Sequence, residues 1–189
     1  MVAALMLAIS ALSIVGVAGT SVQPIQSAQD FWGPRYSLQA YEIRTNSKKA
    51  SGLPAIQRWN RIAIDASGLD HTPVAPGDPR HFGEQLGPCR ASRAMAIVHI
   101  AMFEALNCIV HKYQSYTGMY DAPSKCKKSL AIAQAAHDAL VVLFPSQKAA
   151  FDAELAEDFA QVASKSAKDN AIGVGQTAAK STLGLCYND

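Results

Sequence analysis

The chain has 189 residues, of which 49% are hydrophobic and 17% are charged, with 17 basic and 15 acidic side chains. This length predicts one domain, or one domain with a leader, and permits a core that needs no disulfide or metal for support. The apolar content excludes a disordered chain. The net charge of +2 indicates no general attraction to nucleic acid or to a membrane surface.

Residues 1–19 predict a leader, because they are almost wholly apolar or small and no charged residue precedes Asp30. The stretch fits a secretory signal peptide with Val17-Ala18-Gly19 as its small-residue cleavage site. It also fits an uncleaved membrane anchor by its length. No Lys or Arg precedes the apolar run, which is unusual for either. Both interpretations favour a secreted or periplasmic body in which disulfides can form.

Residues 20–55 predict an irregular arm, since they are rich in Ser, Gln, Pro and Gly and show no sustained period. We expect Trp32, Tyr36 and Tyr41 of this arm to pack onto the body. The body itself, residues 56–189, has a helical pattern.

The first helix of the body is predicted over 55–66, with Ser67-Gly68 as its end. A long loop rich in Pro and Gly follows over 68–90. The strongest helical pattern spans 91–111 and has a wide apolar face. Apolar residues also occur off that face, so we expect this helix to be central.

Three further helices are expected after a turn through residues 117–123. One covers 128–144 and ends before Pro145. Ser146 is expected to cap the next helix, whose core stripe is Phe151, Leu155, Phe159 and Val162. The last runs from about 167 to 185, and its Ala and Gly content suggests close approach to a neighbour. Since no segment alternates apolar and polar residues, the body is predicted to be an all-α bundle of about five helices.

Residues Gly173 to Ala178 fit the dinucleotide fingerprint G-x-G-x-x-A. That fingerprint requires a strand before it and a helix opening at it. A polar, helix-like stretch precedes it here, so small residues for helix packing are the favoured explanation.

The histidines do not have the spacing of a metal site. His99 and Glu104 point about 140° apart on one helix, and His99 and His111 about 120° apart. Neither H-E-x-x-H nor C-x-x-C occurs. We expect partly buried, hydrogen-bonded histidines.

Four cysteines, at positions 89, 108, 126 and 186, permit disulfides in an exported chain. Cys108 lies within a helix and could be a small core residue. Cys89 and Cys126 flank the long helix and its turn, so they form the candidate pair.

Ser92-Arg93-x5-His99 matches an element that helps to hold phosphate or vanadate in phosphatidic-acid-phosphatase-type enzymes and vanadium haloperoxidases. Arg is suited to this task because its donors are fixed in a plane. The companion elements Lys-x6-Arg-Pro and Pro-Ser-Gly-His do not occur in this chain. Arg93 and His99 would also point about 120° apart on one helix, so the match is attributed to chance.

Residues from about 57 to 189 resemble the N-terminal helical half of bacterial vanadium-dependent haloperoxidase-like proteins, in the phosphatidic acid phosphatase type 2/haloperoxidase superfamily. The strongest carrier is the stretch SRAMAIVHIAMFEALN, residues 92–107. The other carriers, in chain order, are Trp59-Asn60-Arg61-Ile62-Ala63, the segment 71–77 (HTPVAPG), the segment 82–88 (FGEQLGP), Gln114-Ser115-Tyr116, Ala135-Ala136-His137-Asp138, and Leu143-Phe144-Pro145-Ser146-Gln147. Cys89, Cys108 and Cys186 depart from residues common in that pattern, namely Gly, Ala and Arg.

The resemblance implies an all-helical fold and a peroxidase parentage, in which bound vanadate and peroxide oxidise halide. In that family the vanadate ligands lie in the C-terminal half, so no catalytic, cofactor-binding or metal-binding residue can be assigned to a position of this chain. The expected function is therefore an inactive N-terminal part with an apolar face for a complementary half or a second copy. Two alternatives are an exported helical scaffold or binding protein without catalysis, and an acid phosphatase of the same superfamily that uses Arg93 and His99.

Overall fold

The computed structural model describes residues 54–119 and 121–187. Within these ranges the chain forms helices and no strand, which confirms the predicted all-α bundle. The elements are α1 Ala55–Asp70, α2 Pro88–Val110, α3 Lys128–Leu143, a 3-10 turn Pro145–Gln147, α4 Lys148–Ala160 and α5 Lys165–Leu185. The predicted leader and the arm up to residue 53 lie outside the described residues.

Helix α3 is the centre of the bundle and packs against each of the other four helices. Its sequence is rich in alanine, and most of its residues from Leu130 to Leu143 are buried. Small side chains let neighbouring helices approach from several directions. The expectation that the helix with the strongest pattern would be the central one is therefore corrected, because α2 packs against three helices and α3 against all four.

The core is formed where α1, α2 and α3 meet. Trp59, Met102, Leu130, Leu140 and Phe144 are its largest fully buried apolar side chains. Burying each such side chain contributes on the order of 1.5–3 kcal/mol relative to exposure. This apolar cluster fixes the positions of the polar side chains described below.

Helix α1 passes through Ser67-Gly68 and ends at Asp70, so the predicted end was wrong by about one turn. The additional turn is stabilised by contacts that the local sequence does not reveal. The Thr72 hydroxyl donates to the Gly68 carbonyl at 2.8 Å. The buried Asp70 carboxylate accepts from the backbone N–H groups of Glu84 and Gln85 at 2.6 and 3.0 Å. These bonds hold the following loop against α1.

Helix α2 begins at Pro88, three residues before its predicted start. Proline is favoured at the first helical position because its missing N–H would have no partner there. Gly87 precedes it with a φ of 93°, a left-handed conformation that favours glycine. Gly87 and Pro88, which fall in the predicted loop, therefore mark the start of α2.

Ser146 does not cap α4, which corrects the expected capping role. The 3-10 turn runs directly into α4. The backbone N–H and the hydroxyl of Ser146 donate instead to the two carboxylate oxygens of Glu84, at 3.0 and 2.9 Å. Ser146 thus ties the α3–α4 connection to the loop between α1 and α2.

The predicted stripe on α4 is only partly a core stripe. Phe151 is fully buried, whereas Leu155, Phe159 and Val162 are half-buried at the edge of the core. Helix α5 begins at Lys165, and its true cap is Ser164, whose Oγ accepts from the N–H of Ala167 at 3.4 Å. Short polar side chains at this position satisfy an N–H that the helix leaves without a partner.

Candidate functional site

The structure does not bring Ser92, Arg93 and His99 together. The Ser92 hydroxyl donates to the Cys89 carbonyl at 3.1 Å. The Arg93 guanidinium donates to the Cys186 carbonyl at the end of α5, at 2.6 Å. His99 Nε2 lies 2.9 Å from Asn60 Oδ1 on α1. Because the three side chains face different neighbours, they do not form one oxyanion pocket.

Glu104 on α2 is fully buried and holds the loop that follows the helix. Its carboxylate accepts from the Ser115 hydroxyl at 2.5 Å, from the Thr117 hydroxyl at 2.9 Å and from the Tyr116 N–H at 2.6 Å. A buried carboxylate needs several donors to offset its lost hydration. This residue of the strongest resemblance stretch therefore has a structural role in the described body.

Asn107 supports the same loop from the next turn of α2. Its amide donates to the Tyr113 carbonyl at 2.8 Å and accepts from the Tyr113 N–H at 2.9 Å. These two hydrogen bonds hold the backbone of Tyr113, while Glu104 holds the backbone of Tyr116. Both tyrosines are exposed, at 61% and 68%, and both rings contact Phe103. The result is an exposed aromatic cluster with a buried polar support.

Helix α2 also presents an apolar outer stripe, which we define as Ala96, Ile100, Phe103 and Val110. Their spacing of 4, 3 and 7 places them on one side of the helix. Ala96 and Val110 are exposed, and the other two are half-buried. The stripe ends at the aromatic cluster of Tyr113 and Tyr116. Asn107, on the same side between Phe103 and Val110, is buried beneath the following loop and interrupts the stripe there.

By length and composition, α2 alone among the described helices could cross a membrane. Half of its most apolar window is buried inside the molecule. Glu104 and Asn107 within it are hydrogen-bonded to the following loop. These observations describe α2 as a packed helix of the bundle.

The segment from Gly173 to Ala178 lies inside α5. A Cβ placed on Gly175 would lie 2.5 Å from Gln134 Cβ and 2.8 Å from the Ala131 carbonyl oxygen of α3. Glycine is therefore required where α3 and α5 make their closest approach. The expected packing role is confirmed at Gly175, whereas a Cβ on Gly173 would meet nothing within 4 Å.

Cys89 and Cys126 lie near opposite ends of α2, so they do not form the candidate disulfide. Cys89 is in the first turn, and Cys108 is nineteen residues later, about 28 Å along the axis. Cys126 lies near Cys108, because Ala122 N–H donates to the Cys108 carbonyl at 3.2 Å and the two thiols interact electrostatically. Burial, with smaller contributions from Cys126 and Glu104, raises the pKa of Cys108 to about 11, which makes it a poor nucleophile.

Of the five histidines only His137 is buried, which corrects the expectation of partly buried side chains. In the described ranges no three His, Cys, Asp or Glu side chains are grouped to hold a metal ion. His71 Nδ1 lies 2.8 Å from the Ser67 carbonyl oxygen, and His71 Nε2 accepts from the Gly87 N–H at 3.1 Å. His99 meets Asn60, as described above. His111 ends α2 in the left-handed conformation with a φ of 50°.

His137 belongs to the densest polar cluster, which sequence reasoning did not single out as a site. Its Nδ1 lies 2.8 Å from Asp138 Oδ1, and its Nε2 lies 2.9 Å from Asp152 Oδ1 on α4. Lys148 also binds Asp152, and Gln134 also binds Asp138. His137 and Asp138 occur in a quoted motif, but Asp152 is fifteen residues away from His137 and carries no motif signal.

A shallow groove of about 270 Å³ runs beside His137. Its lining combines the polar cluster with apolar side chains of α4 and α5: Gln134, His137, Asp152, Leu155, Ala156, Phe159 and Ile172. Both ring nitrogens of His137 face carboxylates, so neither is available to act as a general base on a ligand in the groove. The arrangement is suited to holding helices together.

Arg58 forms a second charge cluster between α1 and α4. It is 4% exposed, and its guanidinium binds Glu154 at 2.5 Å and Glu157 at 3.3 Å. Its Nε lies 3.1 Å from Asp158 Oδ1 without the alignment of a hydrogen bond. The neighbouring Trp59 Nε1 donates to Asp158 Oδ2 at 2.8 Å. Three carboxylates of α4 therefore surround one buried cation of α1.

Comparison with protein-family models, with curated proteins and with solved structures finds no match for this chain. The resemblance to haloperoxidase-like proteins thus rests on the quoted motifs alone and stays a prediction. The structure adds that the polar residues of these motifs, such as Glu84, Glu104 and Asn107, hold loops and helices of the described body.

Proposed function

We propose that this chain is the N-terminal helical half of a vanadium-dependent haloperoxidase-like protein, secreted or periplasmic, and acts as a scaffold that a complementary helical half completes. Vanadate and the chemistry of halide oxidation would belong to that other half, so no catalytic step is assigned to a residue here. Support comes from the motifs in their order along the chain and from the internal, structural use of their polar side chains.

The observation that carries the proposal is the apolar outer stripe of α2. A helix of a small soluble bundle ordinarily has one apolar face toward the core and one polar face toward water. Opposite its core face, helix α2 carries Ile100, Phe103 and Val110 among polar side chains such as His99, beside two exposed tyrosines. Tyrosine and other aromatic residues are enriched at protein interfaces. A second helical layer over this stripe would remove that apolar surface from water.

Binding of an apolar dye and the mass in solution test the outer stripe. Without its complementary half, the purified chain is expected to bind the dye or to self-associate through the stripe. Changing Phe103→Ser together with Tyr116→Ser should reduce that signal severalfold, because both rings leave the exposed cluster. Val142→Ser is the matched control, since Val142 is 60% exposed on α3 and lies outside the stripe.

A different result would favour the autonomous scaffold. If the unchanged chain is monomeric, unfolds in one cooperative transition and binds no dye, the stripe is not an unsatisfied interface. An equal loss of signal in Val142→Ser would likewise contradict a specific role for the outer stripe.

A further inference from the structure

The imidazole of His137 is clamped between two carboxylates that belong to different helices. It is 9% exposed, with Asp138 Oδ1 at 2.8 Å from Nδ1 and Asp152 Oδ1 at 2.9 Å from Nε2. The indole of Trp59 from α1 meets the ring at its edge, with ring centres 6.4 Å apart. The position of the ring is thus fixed from three helices.

This geometry requires two N–H groups on the ring. A neutral imidazole carries one N–H and one lone pair, so it could satisfy only one of the two carboxylates. The imidazolium form donates to both. Burial works against the charged form, but the hydrogen bonds with Asp138 and Asp152 outweigh it, and the pKa of His137 is raised above its usual 6.5. The imidazolium form therefore bridges α3 and α4 through hydrogen bonds to both carboxylates.

Helix α4 depends on such polar contacts more than the other helices do. Phe151 is its only fully buried residue. Its remaining attachments include the Asp152 bond to His137, near its beginning, and the carboxylates on Arg58, near its end. An element with few buried apolar contacts opens at a lower free energy than the rest of a structure.

We propose that His137 is a proton-operated latch that fastens α4 onto α3 and weakens this attachment when it loses its proton. The charged groups that face the ring are Asp138 from α3, and Asp152 with its partner Lys148 from α4. Trp59 of α1 and Ile172 of α5, across the groove, contribute no charge. The latch does not depend on the proposed complementary half.

The direction of the pH effect follows from the raised pKa. The stabilising contribution is complete below about pH 6.5, the pKa of an unfolded histidine, and is lost as the pH rises through the folded pKa. Stability should therefore fall as the pH rises above about 6.5 in the unchanged chain.

The test combines urea unfolding from pH 5.5 to 8.5 with the NMR titration of the His137 ring in the full chain. We expect the His137 titration above pH 6.5 and a fall in stability across the same range. His137→Gln should flatten this fall, while His99→Gln, at an exposed histidine, should leave it unchanged. Asp152→Asn should lower the titration midpoint of His137 by roughly one pH unit, because it removes one charged acceptor.

Two results would overturn the latch. One is a His137 midpoint at or below pH 6.5. The other is the same pH dependence of stability in His137→Gln as in the unchanged chain. If His137→Gln does not fold, Asp152→Asn decides, since an unshifted His137 midpoint in that variant contradicts the bridge.

Discussion

Single residues decide how closely the helices of this bundle can approach. Gly175 is the clearest case, because the space for its missing Cβ is already occupied by Gln134 and the Ala131 carbonyl. The Ala and Gly content of the last helix was enough to predict close packing. The sequence did not indicate which of Gly173 and Gly175 faces the neighbour, since that depends on the rotation of α5 about its axis.

Gly175→Ala should destabilise the fold by about 1–3 kcal/mol, because the added methyl group overlaps Gln134 and the backbone of α3. Gly173→Ala is the control and should be neutral or stabilising by up to about 1 kcal/mol, as alanine favours a helix where space is open. Urea unfolding of both variants measures the difference. Equal stability of the two would contradict the close approach at Gly175.

Glu104 and Asp152 show what residue-level sequence reasoning could not find. The spacing of Glu104 from His99 argues against a shared metal ion, and Glu104 is instead bound by the loop at residues 115–117. Asp152 had no expected role. Glu104 binds an irregular loop, and Asp152 binds His137 on another helix. Helical periodicity carries no information about either pairing.

At the scale of elements, the number and type of helices were predictable because their apolar residues recur with helical spacing. The ends of the helices were less predictable from the sequence. Helix α1 passes a Ser-Gly pair because Asp70 and Thr72 make further bonds there. Ser146 binds Glu84 from a distant loop, so its capping potential is not used. Tertiary contacts outweighed the local signals in both cases.

The prediction at the scale of elements concerns Arg58, the residue of α1 that binds the carboxylates of α4. Arg58→Ala leaves three carboxylates of α4 without their buried cation and should destabilise the fold by about 1–3 kcal/mol, since Glu154 and Glu157 are exposed enough to regain water. Limited proteolysis should then cut within α4 before the rest of the bundle. Arg61→Ala is the control on the same helix, because Arg61 pairs with Asp65 at the surface, where an ion pair contributes less than about 1 kcal/mol.

A uniform increase of cleavage across all helices in Arg58→Ala would show that α4 is not attached separately. Similar cleavage of α4 in Arg61→Ala would show that the buried position of Arg58 is not what matters.

At the scale of the molecule, α3 lies at the centre, and α1, α2, α4 and α5 surround it. The bundle uses its buried polar residues internally, for loops and for the attachment of α4. The outer stripe of α2 is the part of the exposed apolar surface that adjoins the aromatic cluster of Tyr113 and Tyr116, and other exposed apolar side chains, such as Ile64 and Leu185, lie elsewhere on the described body. The role as a scaffold stays a proposal.

Bromide oxidation by the purified chain, with vanadate and hydrogen peroxide supplied, tests the central claim most directly. If the vanadate-holding residues belong to a complementary half, turnover should equal that of the same mixture without protein. Sustained turnover that Arg93→Ala abolishes would contradict the account, because it would assign a working oxyanion site to side chains of this chain.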